Sequence, residues 1–335
     1  MAKQSTKKIS FFESPFGKFL MNNKAAAIFV VMSLIVASLS EVFLTPGNLL
    51  NLTRQVAYSV TLSAGYTLLL SSGNFDLSIG CMVGLVGVAM GKLLTLGLPI
   101  PVVIIAGVAF GAMLGALNCM VINAFSLPPF IATLATMSIY KGATYIWTKM
   151  VPISNLPKEF VIIGQGYTMG IPNQVYIMLV MCLIMGFILY KTRFGRYSLA
   201  MGGNREAARL AGINVTRLST AIYAIMGVYV AVAAIMITAR SASAQVTAGQ
   251  NTEMDAIAAV VVGGTPMSGG SANIIGTVFG CLIVGVINNG LNLMGVDANW
   301  QLVAKGVMIL FAMILDVISS RIALTMSKRE MANKK

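Results

Sequence analysis

Histidine is absent from this 335-residue chain, and only 10 of its residues are acidic. The first absence removes the usual proton shuttle and the commonest general base. Charged residues make up 10% of the whole, where a soluble domain carries about a quarter. So sparse a supply cannot cover a water-facing surface, and a lipid bilayer is the expected solvent. Four cysteines (Cys81, Cys119, Cys182, Cys281) all fall in apolar runs without metal-ligand spacing, which suits buried small residues rather than a disulfide framework or a metal centre. A phosphate-binding Walker A loop is missing as well. Gly91-Lys92 is followed by Leu93 and has no glycine at the required upstream position, so the chain is not expected to hydrolyse ATP. With no catalytic residue, metal or cofactor of its own in view, an enzyme is not the expected reading.

What is present is apolar: 57% of residues, with 23 lysines and arginines set against the few acids for a net charge of +13. The basic residues are clustered. Five precede the first apolar run, six fall in Lys191–Thr220 and five lie from Arg321 onward. This is the positive-inside signature of a polytopic membrane protein, not a nucleic-acid face.

The apolar runs predict an all-α fold of about ten transmembrane helices. The expected spans are Ala25–Phe43, Leu49–Ser71, Ile79–Leu98, Val102–Asn123, Pro128–Thr148, Gln174–Tyr190, Leu218–Thr238, a half-length Glu253–Val262, Ala272–Leu293 and Trp300–Leu315. A cytoplasmic tail (1–24), a transmembrane domain (25–320) and a second cytoplasmic tail (321–335) follow. Lys149–Asn173 and the Ala/Ser/Thr-rich Ala239–Thr252 read as outside connections, the latter flexible. Two stretches interrupt the spans, Gly73–Asp76 and the glycine-rich Gly263–Gly270. Gly107, Gly111, Gly115 and Asn118 echo Gly276, Gly280, Gly285 and Asn288. Five spans separate the copies, so the two five-helix halves would be inverted, a plan that places solute between them.

The polar stretch 191–220 contains a short, well-signalled helix. Asn204 suits the N-cap, Glu206 the first turn, Arg209 the last turn and Gly212 the left-handed exit. Two turns are too few to be stable alone in water, so such a helix is expected to dock against something.

Glu206-Ala207-Ala208, three residues and then Gly212 resemble the E-A-A-x-x-x-G signature of the membrane subunits of bacterial ABC importers. Gly202 to Ile213, together with Asp76-Leu77-Ser78-Ile79-Gly80 and the glycines from Gly263 to Gly270, is similar to the monosaccharide, ribose-type branch. The resemblance implies a permease subunit of the bacterial inner (plasma) membrane, both termini cytoplasmic, paired with a second permease subunit as homodimer or heterodimer. It also implies cytoplasmic ATPase subunits that use ATP and Mg, and an extracytoplasmic sugar-binding protein. Arg205, Glu206, Ala207, Ala208, Arg209 and Gly212 would then form the helix that couples to the ATPase.

For the substrate path, Asn74, Asp76, Ser78, Asn288 and Asn289 are candidates by type and place, since sugars need hydroxyl partners. Interhelical hydrogen bonding is the blander use of each asparagine. Asp76 would either cap the following helix or line a cavity, two roles that can coexist in a broken helix. The other reading is an ion-coupled secondary transporter of a small polar solute, which ATP-independent uptake would reveal.

Overall fold

The computed structural model describes residues 24–297, 299–304, 306, 307, 310 and 314. The two expected tails, apart from Lys24, and part of the tenth span lie outside the described residues.

The regular structure of the described chain is helical apart from one two-stranded hairpin and an isolated bridge between Ile153 and Ala244. In order it forms α1 (Lys24–Leu39), α2 (Pro46–Ser71), α3 (Ile79–Thr95), α4 (Ile100–Phe125), α5 (Pro129–Thr148), α6 (Lys158–Gln165), β1 (Tyr167–Thr168), β2 (Ile171–Pro172), α7 (Asn173–Lys191), α8 (Arg193–Gly203), α9 (Arg205–Leu210), α10 (Val215–Ser241), α11 (Thr252–Val262) and α12 (Ile274–Leu293). β1 and β2 are antiparallel, with Tyr167 opposite Pro172. By length and composition α4, α7, α10 and α12 can each cross a bilayer, while α1 and α3 are shorter apolar helices. With helices at nine expected spans and helical backbone at 299–304, this is an all-α polytopic membrane protein.

The core is built around α2 and α10. From Val56 to Ser71 α2 is almost wholly buried, and Tyr66, Tyr223 and Tyr229 are among the largest enclosed side chains. At Gly65 a Cβ would meet the Tyr229 Cβ at 2.6 Å, so the helices meet where one of them has no side chain. The pairing of halves is crossed: α10 packs on α3 and α4, whereas α2 packs on α11 and α12. Exchanged partners of this kind fit the inverted arrangement read from the repeated glycines. Those glycines make the contacts, Gly111 against the Gly227 backbone in α10 and Gly280 against the Ala259 backbone in α11.

Two expected connections are structured. Within 149–173, α6 packs on α10, burying Phe160 fully and setting Gly164 against the backbone of Ala239 and Arg240. Residues 242–251 are not a flexible outer loop. They run as a series of tight turns along α3, where Gly91 faces Ala244, Gly84 faces the Ala248 and Val246 carbonyls, and Gly80 faces Gly249 and Glu253. The glycine stripe on α3 opens a groove for backbone instead of for another helix. By helical rise the segment descends about 16 Å along α3. Ala/Ser/Thr composition hid this, because small residues suit a narrow groove as well as a mobile loop.

Candidate functional site

At one end of the bundle the two helix breaks and the basic loop converge. The first break, 72–78, follows α2, with Gly73 at φ +74°. The second, 263–273, follows α11 and holds Gly269 and Gly270 at φ +79° and +84°. The Gly270 N–H donates to the Ser71 carbonyl at 2.8 Å. Gly202 fills the remaining space: a Cβ there would strike the Ser71 oxygen and the Gly270 nitrogen. Tyr190, one residue before the end of α7, donates to the Ala272 carbonyl and accepts from the Ile274 N–H, both at 3.1 Å.

The polar stretch holds more helix than its sequence suggests. Thr192 caps α8, its hydroxyl accepting from the Gly195 N–H at 3.1 Å. α8 buries Gly195, Ser198 and Met201. Its last residues, Gly202 and Gly203, sit between the breaks and lead straight into α9.

α9 follows its local signals. Asn204 accepts from the Ala207 N–H at 2.9 Å, Glu206 and Arg209 pair at 3.1 Å, and Gly212 turns the chain at φ +85°. Ala208 departs from expectation. It is the one buried residue of α9, at 4% exposure, and faces the protein's own core. Arg205, Glu206, Ala207 and Arg209 are exposed, and so is Leu210 at 83%. Sequence reading passed over Leu210; an apolar residue one turn beyond the acid on so short a helix was the available signal.

The expected substrate-path residues fall into two groups that the structure keeps apart. Asn74 donates to the Ser72 hydroxyl at 2.8 Å. The Asp76 carboxylate accepts from the Ser78 N–H (2.7 Å), the Ser78 hydroxyl (2.6 Å) and the Asn118 amide (3.0 Å). Asn118 also accepts from the Tyr140 hydroxyl at 2.7 Å. Asp76 therefore shapes the turn into α3 and fastens it to α4 and α5, and Tyr223 adds a 2.7 Å bond to the Phe75 carbonyl. Asn289 lies at the other end of α2, exchanging two amide bonds with Asn48 at 3.0 and 2.9 Å. About 35 Å of helix separates Asn48 from Ser71, so no single solute touches both groups. Asn288 is buried beside Asn289, and its amide oxygen lacks a hydrogen-bond partner. Asn118 was read in the sequence only as part of the repeated glycine pattern and not as a partner of Asp76, and Tyr140 was missed, since nothing there sets it apart from packing residues.

Among the described residues no group of three or more His, Cys, Asp or Glu side chains is placed to hold a metal ion.

Over residues 48–313 the chain matches the family described as "Branched-chain amino acid transport system / permease component". Ribose import permease protein RbsC of Bacillus subtilis (strain 168) is 43% identical over 288 residues, which cover 85% of this chain and 89% of that protein. RbsC of Escherichia coli (strain K12) is 38% identical over 302 residues, 89% and 94% of the two chains. The D-allose transport system permease protein AlsC of the same strain is 35% identical over 314 residues, 92% and 96%. No solved structure matches the chain. The chain belongs to this permease-component family, as a membrane subunit of its ribose-type ABC importer branch.

Proposed function

We propose that the protein forms the translocation path for a monosaccharide of the ribose type, with a second permease subunit facing it. α9 seats in a groove of a separate ATPase that uses ATP and Mg, and an extracytoplasmic sugar-binding protein delivers the solute. α8, α9 and both chain termini are cytoplasmic in this reading. The observation that carries it is the placement of α9. A capped helix with five of its six residues exposed hangs directly from Gly202 and Gly203, which lie between the two helix breaks. Movement of α9 by a partner is thereby passed to both breaks at once. A partner shifts such an equilibrium only by binding one state better than the other.

The sugar follows from the relatives, whose names specify ribose and D-allose. The test is uptake of labelled ribose, allose and xylose into proteoliposomes carrying this chain, its ATPase and the binding protein. ATP-dependent uptake that prefers one of these sugars is expected. Uptake driven by a proton or sodium gradient without ATP would replace this reading with an ion-coupled carrier.

A further inference from the structure

Over residues 138–146, α5 exposes two faces of opposite character. Ile139 and Ile146, at 63% and 82% exposure, lie on a side suited to lipid. Ser138, Lys141 and Tyr145 lie about 80–160° around the helix from them, at the spacing of one stripe. Ser138 and Lys141 are exposed and Tyr145 is half-buried. The Lys141 ammonium reaches along the helix to 5.9 Å from the Tyr145 ring centroid. Tyr145 accepts a 2.8 Å hydrogen bond from the Gln250 amide. Gln250 is half-buried and Asn251 exposed, on the turn-built, non-helical segment that descends along α3. At Gly142 a Cβ would meet nothing within 4 Å, so this face opens on space.

Two physical arguments exclude lipid there. A lysine twelve residues into an apolar twenty-residue helix is expensive against hydrocarbon, and such groups face water or protein. Non-helical backbone at membrane depth is tolerated only where it is buried in protein or lines a water-filled cavity. Residues 250–251 directly follow Gly249, which packs on Gly80 near the start of α3, and are not fully covered.

We propose that Ser138, Lys141 and Tyr145, with Gln250 and Asn251, form a wet wall of the translocation path that a neutral polyhydroxylated solute touches as it passes. Lys141 and Gln250 donate to its hydroxyls, and the Tyr145 ring offers a flat apolar face to the C–H side of a sugar ring. The identity of this occupant rests on the sugar-permease reading; the wetness of the wall does not.

The experiment uses the assembled transporter in proteoliposomes, with the four native cysteines replaced. Lys141→Cys, Ser138→Cys and Asn251→Cys should react with a membrane-impermeant anionic thiol reagent, and saturating ribose should slow the reaction several-fold. Ile139→Cys and Ile146→Cys should stay unlabelled. Lys141→Met should lower sugar uptake several-fold with ATPase association unchanged, and Lys141→Arg should restore most of it. The wall is overturned if the first three positions react no faster than the two isoleucine positions. A clear labelling contrast without protection by any sugar supports the wet wall and overturns only the sugar assignment of its occupant.

Discussion

The Gly270 N–H meets the Ser71 carbonyl at 2.8 Å, joining the end of α2 to the break beyond α11, with Gly202 pressed against both atoms. Gly202→Val should therefore push apart a three-way backbone contact. Overpacking of this kind costs about 1–3 kcal/mol. α9 begins three residues later and keeps its own cap, so the variant should still co-purify with its ATPase while losing transport. Normal uptake by Gly202→Val would show that the junction carries no motion.

Gly212 sits at φ +85° with open space around its Cβ position, so the constraint there is torsional and not steric. Gly212→Asn should be tolerated, since Asn enters the left-handed region readily. Gly212→Val should lose about 1–2 kcal/mol locally and release α9 from its angle. Uptake and ATPase co-purification for the pair check this, and equal behaviour of Asn and Val would remove the conformational argument.

Leu210 and Ala208 should separate docking from anchoring. Leu210→Ser is expected to weaken ATPase co-purification without lowering the thermal stability of the purified subunit. Ala208→Trp should lower that stability, because its side chain points into the core. Glu206→Ala should be mild. The Glu206–Arg209 pair is 70% and 65% exposed, and such pairs are worth about 0–1 kcal/mol.

Asn118→Ala would leave the Asp76 carboxylate and the Tyr140 hydroxyl each short of a partner in a buried setting. A loss of about 1–3 kcal/mol is expected, read as a lower unfolding temperature in detergent. Asp76→Asn places an amide where Asn118 donates, so Asp76→Asn with Asn118→Asp should recover part of the loss. Failure of the double variant to exceed the worse single one would argue against direct coupling.

Legibility in the sequence followed the range of the interactions. The Asn204 cap, the Glu206–Arg209 pair and the Gly212 exit are closed within nine residues, and each stands where local rules put it. The apolar runs likewise fixed most spans, since bilayer thickness sets their length. The partners of the α3 glycines were not legible, because a glycine at every third or fourth position reads the same whether it receives a helix or a non-helical run of backbone. Asp76 showed its turn-forming role through Ser78, two residues on. Its ties to Asn118 and Tyr140 depend on how α4 and α5 pack. Asn288 and Asn289 were grouped with Asp76 by residue type and by place in the chain, and the length of α2 reveals that they belong to the opposite end.

The crossed pairing of α2 with α11 and α12, and of α10 with α3 and α4, bears on how the molecule is made. A ribosome that has finished α7 has produced a helix, α2, whose apolar surface waits for segments not yet synthesised. Neither half of the chain holds a complete interior by itself. A gene divided between α7 and α8 should yield two fragments that are each degraded when expressed singly. Produced together in one cell, they should rejoin, because each supplies the missing filling of the other.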